Sequence, residues 1–269
     1  MPEVSVPFMD SIASIRPIPK HVFEGEANLA QSSKNLNPIG SGPFKFKEFK
    51  SGEKVELERF DDYFDGKPNL EGVVFRVIAD SNAANTALLN GELSARYITT
   101  DDIEKFTQNG NFNIEVFEEG MLNNMVFRLT NEALRNEDVR KAIAYAINKD
   151  EIVTGVYGNE EYAEKAYSVF VPTTLYYTTD VEKYDYNVEK AKELLKNAGY
   201  ENLSLRLAYT NTSKEQEAYG LIIQQQLKEI GIEVELMPME RVAFLEKFVD
   251  ATNTDFDLAF NGYVMGYEP

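Results

Sequence analysis

Apolar and polar positions follow two different periods along this chain, and each change of period marks an element. From 203 to 236 the pattern reads strand, helix, strand. Leu203, Leu205, Leu207 and Tyr209 alternate with Ser204, Arg206 and Ala208, the period of two that sends successive side chains to opposite faces of a strand. Thr212-Ser-Lys-Glu215 matches a capping box, in which a hydroxyl accepts from a free backbone N–H while Glu215 reaches back. Ala218, Leu221, Ile222, Gln225 and Leu227 follow at roughly helical spacing, and Gly231 after Ile230 reads as a left-handed cap. Ile232, Val234 and Leu236 alternate with Glu233 and Glu235 as a second strand. A unit of this length is normally a right-handed parallel crossover. The chain is therefore α/β here, and open α/β sheets take their ligands at the carboxyl ends of the strands.

The same pattern extends in both directions. Residues 1–43 are rich in proline, serine and asparagine and predict irregular structure. Phe44, Phe46 and Phe49 begin a strand, and Val55, Leu57 and Arg59 return after a turn at 50–53 as the second arm of a hairpin. Val73, Phe75 and Val77 alternate as a strand, Asn82 to Asn90 reads as a helix stopped by Gly91, and Thr100 caps a helix over 101–107. Ile114 and Val116 predict a strand, and Met121 to Leu129 another. Asn123 and Asn124 interrupt this last apolar run, either as a strand-edge pair or as a polar pair facing a cleft. Helical spacing runs from Asp138 to about Tyr157 with a break at Asn148. A tyrosine-rich loop spans 158–186, its rings either lining a groove or pinning the loop to a core. Asn187 caps a helix closed by Gly199, Glu240 to Val249 is a further helix, and Phe256 to Phe260 a third strand. The chain ends a few residues beyond that strand, which suggests an excised piece of a longer protein.

Composition narrows the chemistry. The chain has 269 residues, the size of two small domains, with 43% apolar residues to build cores. Its 45 acidic against 27 basic residues give a formal charge of −18, which argues against nucleic acid or an anionic membrane as partner. No apolar run is long enough for a transmembrane helix, and no signal peptide is visible. There is no cysteine, which removes disulfides, thiolate nucleophiles and cysteine-bound metal. His21 is the single histidine, and nothing near it resembles a nucleophile elbow. The Asp61-Asp62 and Asp65 group lacks the spacing of a calcium loop. No cofactor motif, metal site or catalytic constellation is present.

Ordered blocks carry a family resemblance. They are 37–49 (NPIGSGPFKFKEF), 57–68 (LERFDDYFDGKP), 88–92 (LLNGE), 138–150 (DVRKAIAYAINKD), 190–200 (KAKELLKNAGY), 223–234 (IQQQLKEIGIEV) and 255–263 (DFDLAFNGY). In this order the chain resembles the extracellular solute-binding proteins of peptide ABC importers, the oligopeptide-binding branch of solute-binding protein family 5. Ser94, Phe60 and Tyr263 depart from the family's usual Asp, Asn and Trp.

The resemblance implies a periplasmic-binding-protein-like type II fold, two α/β lobes (one of them partial here) joined by hinge strands and closing on a ligand. Residues 1–127 would be the partial first lobe and 132–269 the second, with a hinge at about 127–131. It implies no enzyme and no cofactor. It implies instead an oligopeptide ligand held largely through its backbone. The partners would be ABC permease subunits, reached through the full-length protein, and the membrane only through a lipid anchor outside this chain. Location would be the cell surface or periplasm. The candidate ligand-binding residues are Asn123 and Asn124 beside the hinge, Tyr209, and Tyr263, Val264, Met265 and Gly266 after the third strand. Glu268 is the candidate partner for a peptide amino group. Tyr209 and Tyr263 also satisfy the strand-end rule without the family. Alternatives on the same scaffold are a nickel complex, haem, an opine or an oligosaccharide, or a sensory role; a hydrolase is a more distant one.

Overall fold

The computed structural model describes Phe8, Ile12 and residues 15–158 and 160–265. The chain forms two compact units, residues 1–97 and 98–269. That division falls upstream of the hinge expected at 127–131.

The first unit carries the hairpin read from the sequence. Strands β1 (Phe44–Lys50), β2 (Lys54–Arg59) and β3 (Gly72–Arg76) form a three-stranded antiparallel sheet in that order. Gly52 makes the tight turn at φ +74°, a conformation that side chains other than glycine resist. Glu56 on β2 accepts from Lys47 and from Lys54 at 2.7 Å, and these hydrogen bonds pull its pKa down to about 2. Helix α1 (Ser81–Leu89) follows, its N-terminus capped by the Asp80 carboxylate, which accepts from the Ala83 N–H at 2.7 Å.

The second unit holds a four-stranded sheet between helices. Helix α2 (Thr100–Asn109) precedes strand β4 (Met121–Phe127). Thr99 occupies the cap position before α2, one residue earlier than expected, and its side chain makes no capping bond. The strand expected at 114–116 does not form. Val116 is exposed there, and no neighbouring strand offers the ladder that would hold it. Next come α3 (Glu137–Ala146), α4 (Val188–Ala198), β5 (Leu203–Thr210), α5 (Lys214–Glu229), β6 (Ile232–Met239), α6 (Arg241–Val249) and β7 (Leu258–Val264). Between α3 and α4, Asn148 caps a short helical turn, Lys149–Ile152, that continues into a π-helical turn, Val153–Tyr157. The break expected at Asn148 is thus a capped restart.

The sheet runs β4-β7-β5-β6, with β5 parallel to both β6 and β7 and β4 antiparallel to β7. One face carries Leu205, Leu207, Leu258 and Phe260 and buries them against Val139, Ile143, Leu195, Ile223 and Leu227 of α3, α4 and α5. The opposite face carries Ala208 and Ala259, covered by Phe244 of α6 and by Phe256. The cap of α5 sits one residue later than expected: Ser213 Oγ accepts from the Gln216 N–H at 3.2 Å. Glu215 does not close the box. Gln216 Oε1 instead accepts from the N–H and the hydroxyl of Thr210, both at 3.0 Å, which ties the helix start to the end of β5. Gly231 behaves as read, at φ +86° with the Glu201 carbonyl 2.5 Å from where a Cβ would stand. The third strand begins at Leu258 rather than Phe256. Phe256 is buried beside Phe244, and the Asp257 side chain is taken up by Arg206.

Candidate functional site

The parallel strands end at Thr210, Met239 and Val264, and β4 begins beside the last of them, with Met121 opposite Val264. Loops converge on this end. The Met265 N–H donates to the Gly120 carbonyl at 2.9 Å, and the Tyr263 hydroxyl donates to the Val169 carbonyl at 3.3 Å. Gly120 lies at φ +67°, and a Cβ there would stand 3.1 Å from the Met265 carbonyl and 3.3 Å from Thr173 Oγ1. Glycine is what lets these segments meet.

Strand alternation divides the candidate residues between the two faces of the sheet. Asn123 lies opposite Gly262 and shares its face with Met125, Phe260 and Tyr209; Asn124 lies opposite Asn261 on the other face, with Tyr263. The two asparagines therefore do not act as one pair. On the first face, the absent side chain of Gly262 makes room for Asn123, whose Oδ1 would lie 2.6 Å from a Cβ at that position. Asn123 Nδ2 donates to the Tyr157 hydroxyl at 3.5 Å, and that hydroxyl shares a short hydrogen bond with the hydroxyl of Tyr219. Tyr157 closes the π-helical turn, a local distortion often found at functional sites. Tyr219 stands on α5 edge-on to Phe260, with ring centroids 5.7 Å apart.

Burial sets the electrostatics of this cluster. It pushes the Tyr219 pKa up, and the hydrogen bond to Tyr157 adds to the shift. Tyr157 is also raised by burial, against the opposing effect of its hydrogen bonds to Tyr219 and Asn123. Both hydroxyls stay protonated at neutral pH and remain able to donate. Glu215, one turn before Tyr219, has its pKa raised by partial desolvation of the carboxylate, with the nearby Glu119 charge adding. Its side chain still reaches solvent, so the carboxylate is crowded rather than sealed off.

On the second face, Asn124 Oδ1 is buried and has no hydrogen-bond partner. A buried acceptor without a partner is uncommon in a native fold and calls for a specific reason. Tyr209 is only 4% exposed, its ring 6.5 Å from that of Phe260, and packs into the core beneath the strand end. Val264 is exposed and Met265 partly so. Gly266 and Glu268 lie outside the described residues. Sequence reasoning missed Tyr157, Tyr219 and Gly262. The signal available for Gly262 was a glycine inside a strand pattern, which marks a close approach.

Among the described residues, no group of three or more His, Cys, Asp or Glu side chains is placed to hold a metal ion. Strand β4 hydrogen-bonds to β7 alone within the sheet, so its outer edge carries backbone N–H and C=O groups that no strand among the described residues uses. An unused strand edge at the carboxyl ends of a parallel sheet, beside tyrosine hydroxyls and amides, is the equipment of a ligand-binding scaffold.

The chain belongs to the bacterial extracellular solute-binding proteins, family 5, whose middle-region profile matches residues 2–269. It is 32% identical to the oligopeptide-binding protein AppA of Bacillus subtilis over 286 aligned residues, covering 97% of this chain and 51% of AppA. The structure of that protein in complex with a nonapeptide matches with a TM-score of 0.73 at 30% identity, over 97% of this chain and 55% of AppA. The ABC transporter substrate-binding protein CtaP of Listeria monocytogenes matches with a TM-score of 0.93 at 44% identity, over all of this chain and 55% of CtaP. NikZ of Campylobacter jejuni, solved in complex with Ni(L-His), matches at 0.79 and 27% identity, over 94% and 51%. The chain therefore spans about half the length of the relatives it matches. The fold is the α/β fold of periplasmic-binding-protein-like solute-binding proteins, with one lobe partial. No helix among the described residues is long and apolar enough to cross a membrane.

Proposed function

We propose that the full-length protein is the substrate-binding subunit of an ABC importer, capturing oligopeptides in a cleft between two lobes and delivering them to a membrane permease. A lipid anchor outside this chain would hold it at the cell surface or in the periplasm. The observation that carries the reading is the free edge of β4 at the carboxyl ends of the strands. An extended peptide can add to such an edge through its own N–H and C=O groups, which gives affinity without demanding a particular sequence. Asn123 at that edge and Asn124 behind it would supply further donors and acceptors. Tyr263, Val264 and Met265 would form the wall beside them, and Gly266 and Glu268 would continue it. The nonapeptide held by AppA supports the peptide class. Residues 127–131 are the proposed hinge between lobes, 1–127 and 132–269, and closure would remove the peptide backbone from water.

A second reading is a metal complex, favoured by the good match to NikZ. A cargo held through its own chelating ligand needs no cluster of protein donors.

Native mass spectrometry of the full-length protein, as purified from cells, separates the two. A spread of peptide masses is expected, lost in the Asn123→Ala/Tyr263→Ala double variant. One discrete metal-bearing adduct would replace the peptide reading with the second.

A further inference from the structure

A cavity of about 280 Å³ opens in the second unit, bounded by Ile147 and Lys149 after α3 and by the loop on either side of Tyr167 and Tyr184. It is separate from the strand-end site. The backbone at its floor is held by the buried Gln226, which accepts from the Asn148 N–H at 3.1 Å and donates to Glu151 at 2.7 Å. Gln226 stands about two turns along α5 from Tyr219.

Two lysines and two aspartates line this cavity, and only one lysine and one aspartate form an ion pair. Asp150 is paired with Lys165, and Asp185 accepts from the Tyr167 hydroxyl at 2.8 Å, so both acids already have partners. Lys149 is half-buried, and burial lowers its pKa against the opposing pull of the Asp185 charge. Its ammonium lies 3.9 Å from the centre of the Tyr167 ring and donates to the Ala166 carbonyl at 3.0 Å. It forms no ion pair among the described residues. An ammonium has three N–H donors, and the one hydrogen bond leaves donors free. A partly desolvated cation with spare donors, beside a cavity, is poised for an anion from outside the chain. Tyr184 and Tyr186 also line the cavity. Tyr184 is fixed edge-on against Tyr145 at 5.3 Å between centroids, and Tyr186 stands exposed at the mouth.

We propose that this cavity binds a small planar carboxylate, its anionic group on Lys149 and its flat body against the rings of Tyr184 and Tyr186. The pairing needs both parts. Carboxylate on ammonium gives a charge-assisted hydrogen bond, and aromatic walls favour a flat apolar body over a hydrated inorganic ion.

The test is titration of the 269-residue chain with benzoate, followed by calorimetry and by the NMR signal of the Ile147 methyl groups, with benzylamine as the cationic control. Saturable benzoate binding that shifts Ile147 is expected. Lys149→Met should weaken it at least about tenfold and Lys149→Arg should retain it. Tyr186→Ala, a change at an exposed ring, should weaken it as well and serves if Lys149→Met does not fold. Equal binding to wild type and Lys149→Met would overturn the site. So would benzylamine binding as well as benzoate, no saturable binding at all, or unchanged affinity in Tyr186→Ala.

Discussion

The two ends of the second unit's sheet treat their polar groups in opposite ways. Where β7 begins, the buried carboxylate and its neighbours are densely paired, and Arg128 Nε is left as a buried atom without a partner. Asp257, 6% exposed, accepts from the Arg206 backbone at 2.9 Å, from the Arg206 guanidinium at 3.0 and 3.1 Å, and from Asn131 at 2.9 Å. Arg128 beside it donates to the Lys247 carbonyl at 3.0 Å and to those of Phe248 and Asp250, closing the C-terminus of α6, and stacks over Phe256 at 4.8 Å. Toward the carboxyl ends of the strands, a buried Asn124 oxygen, at the middle pair of β4 and β7, lacks a partner and Glu215 sits beside another carboxylate. A dense network inside the chain holds the sheet together. The groups left incomplete toward the carboxyl ends are those the proposed ligand would meet.

The contrast breaks most visibly at the closed end. Asp257→Ala leaves the Arg206 guanidinium and the Asn131 amide without their shared acceptor. It should cost about 2 kcal/mol in urea unfolding of the chain, since the hydrogen bonds of the buried carboxylate are lost while the half-exposed Arg206 guanidinium can turn to water. A loss below about 1 kcal/mol would mean that the network contributes little to holding the sheet. The pH dependence has a defined sign. Burial alone would raise the Asp257 pKa, but hydrogen bonds from Arg206 and Asn131 outweigh it and the pKa is lowered from its ordinary 3.8. The stability Asp257 contributes is present above pH 3.8 and is lost as pH falls through the lower folded value. The variant should lack that step.

At the open end the sign of the expected effect reverses. Asn124→Leu removes a buried acceptor that has no partner and should stabilise the isolated chain by about 1 kcal/mol. In the full-length protein the same change should weaken ligand binding. Stability lost rather than gained would show that the oxygen is already satisfied.

Most of the frame was legible from periodicity, and the misses have local causes. The strand–helix–strand unit, the hairpin, the Asn187 cap, the break at Asn148 and the glycine stops followed from residues whose preferences agree with their surroundings. The caps of α2 and α5 were misplaced by one residue because adjacent hydroxyls, Thr99 and Thr100 or Thr212 and Ser213, compete for the position. The 114–116 strand failed because alternation records a preference that only a pairing partner can realise. Strand assignment brought Asn123, Asn124 and Tyr263 toward the carboxyl ends of the strands. Their division between faces needed the register of β4 on β7, and the Tyr157–Tyr219 contact joins residues far apart in sequence. Tyr209 satisfied the strand-end rule, yet its face turned it into the core.

The smallest expected effect sharpens the comparison through pH. Partial desolvation first, and the Glu119 charge second, raise the Glu215 pKa above its ordinary 4.5. A carboxylate raised in this way favours folding while it is protonated, so its contribution is full below pH 4.5 and is lost as pH rises through the folded value. This is the opposite slope to that of Asp257. Glu215→Gln should leave stability unchanged at pH 4 and raise it at pH 7, by less than Asn124→Leu does because the side chain reaches water. Urea unfolding at the two pH values reads the difference directly. Equal stability of wild type and variant at both would mean that solvent screens the carboxylate completely. Of the uncompensated groups at the open end, Asn124 would then remain.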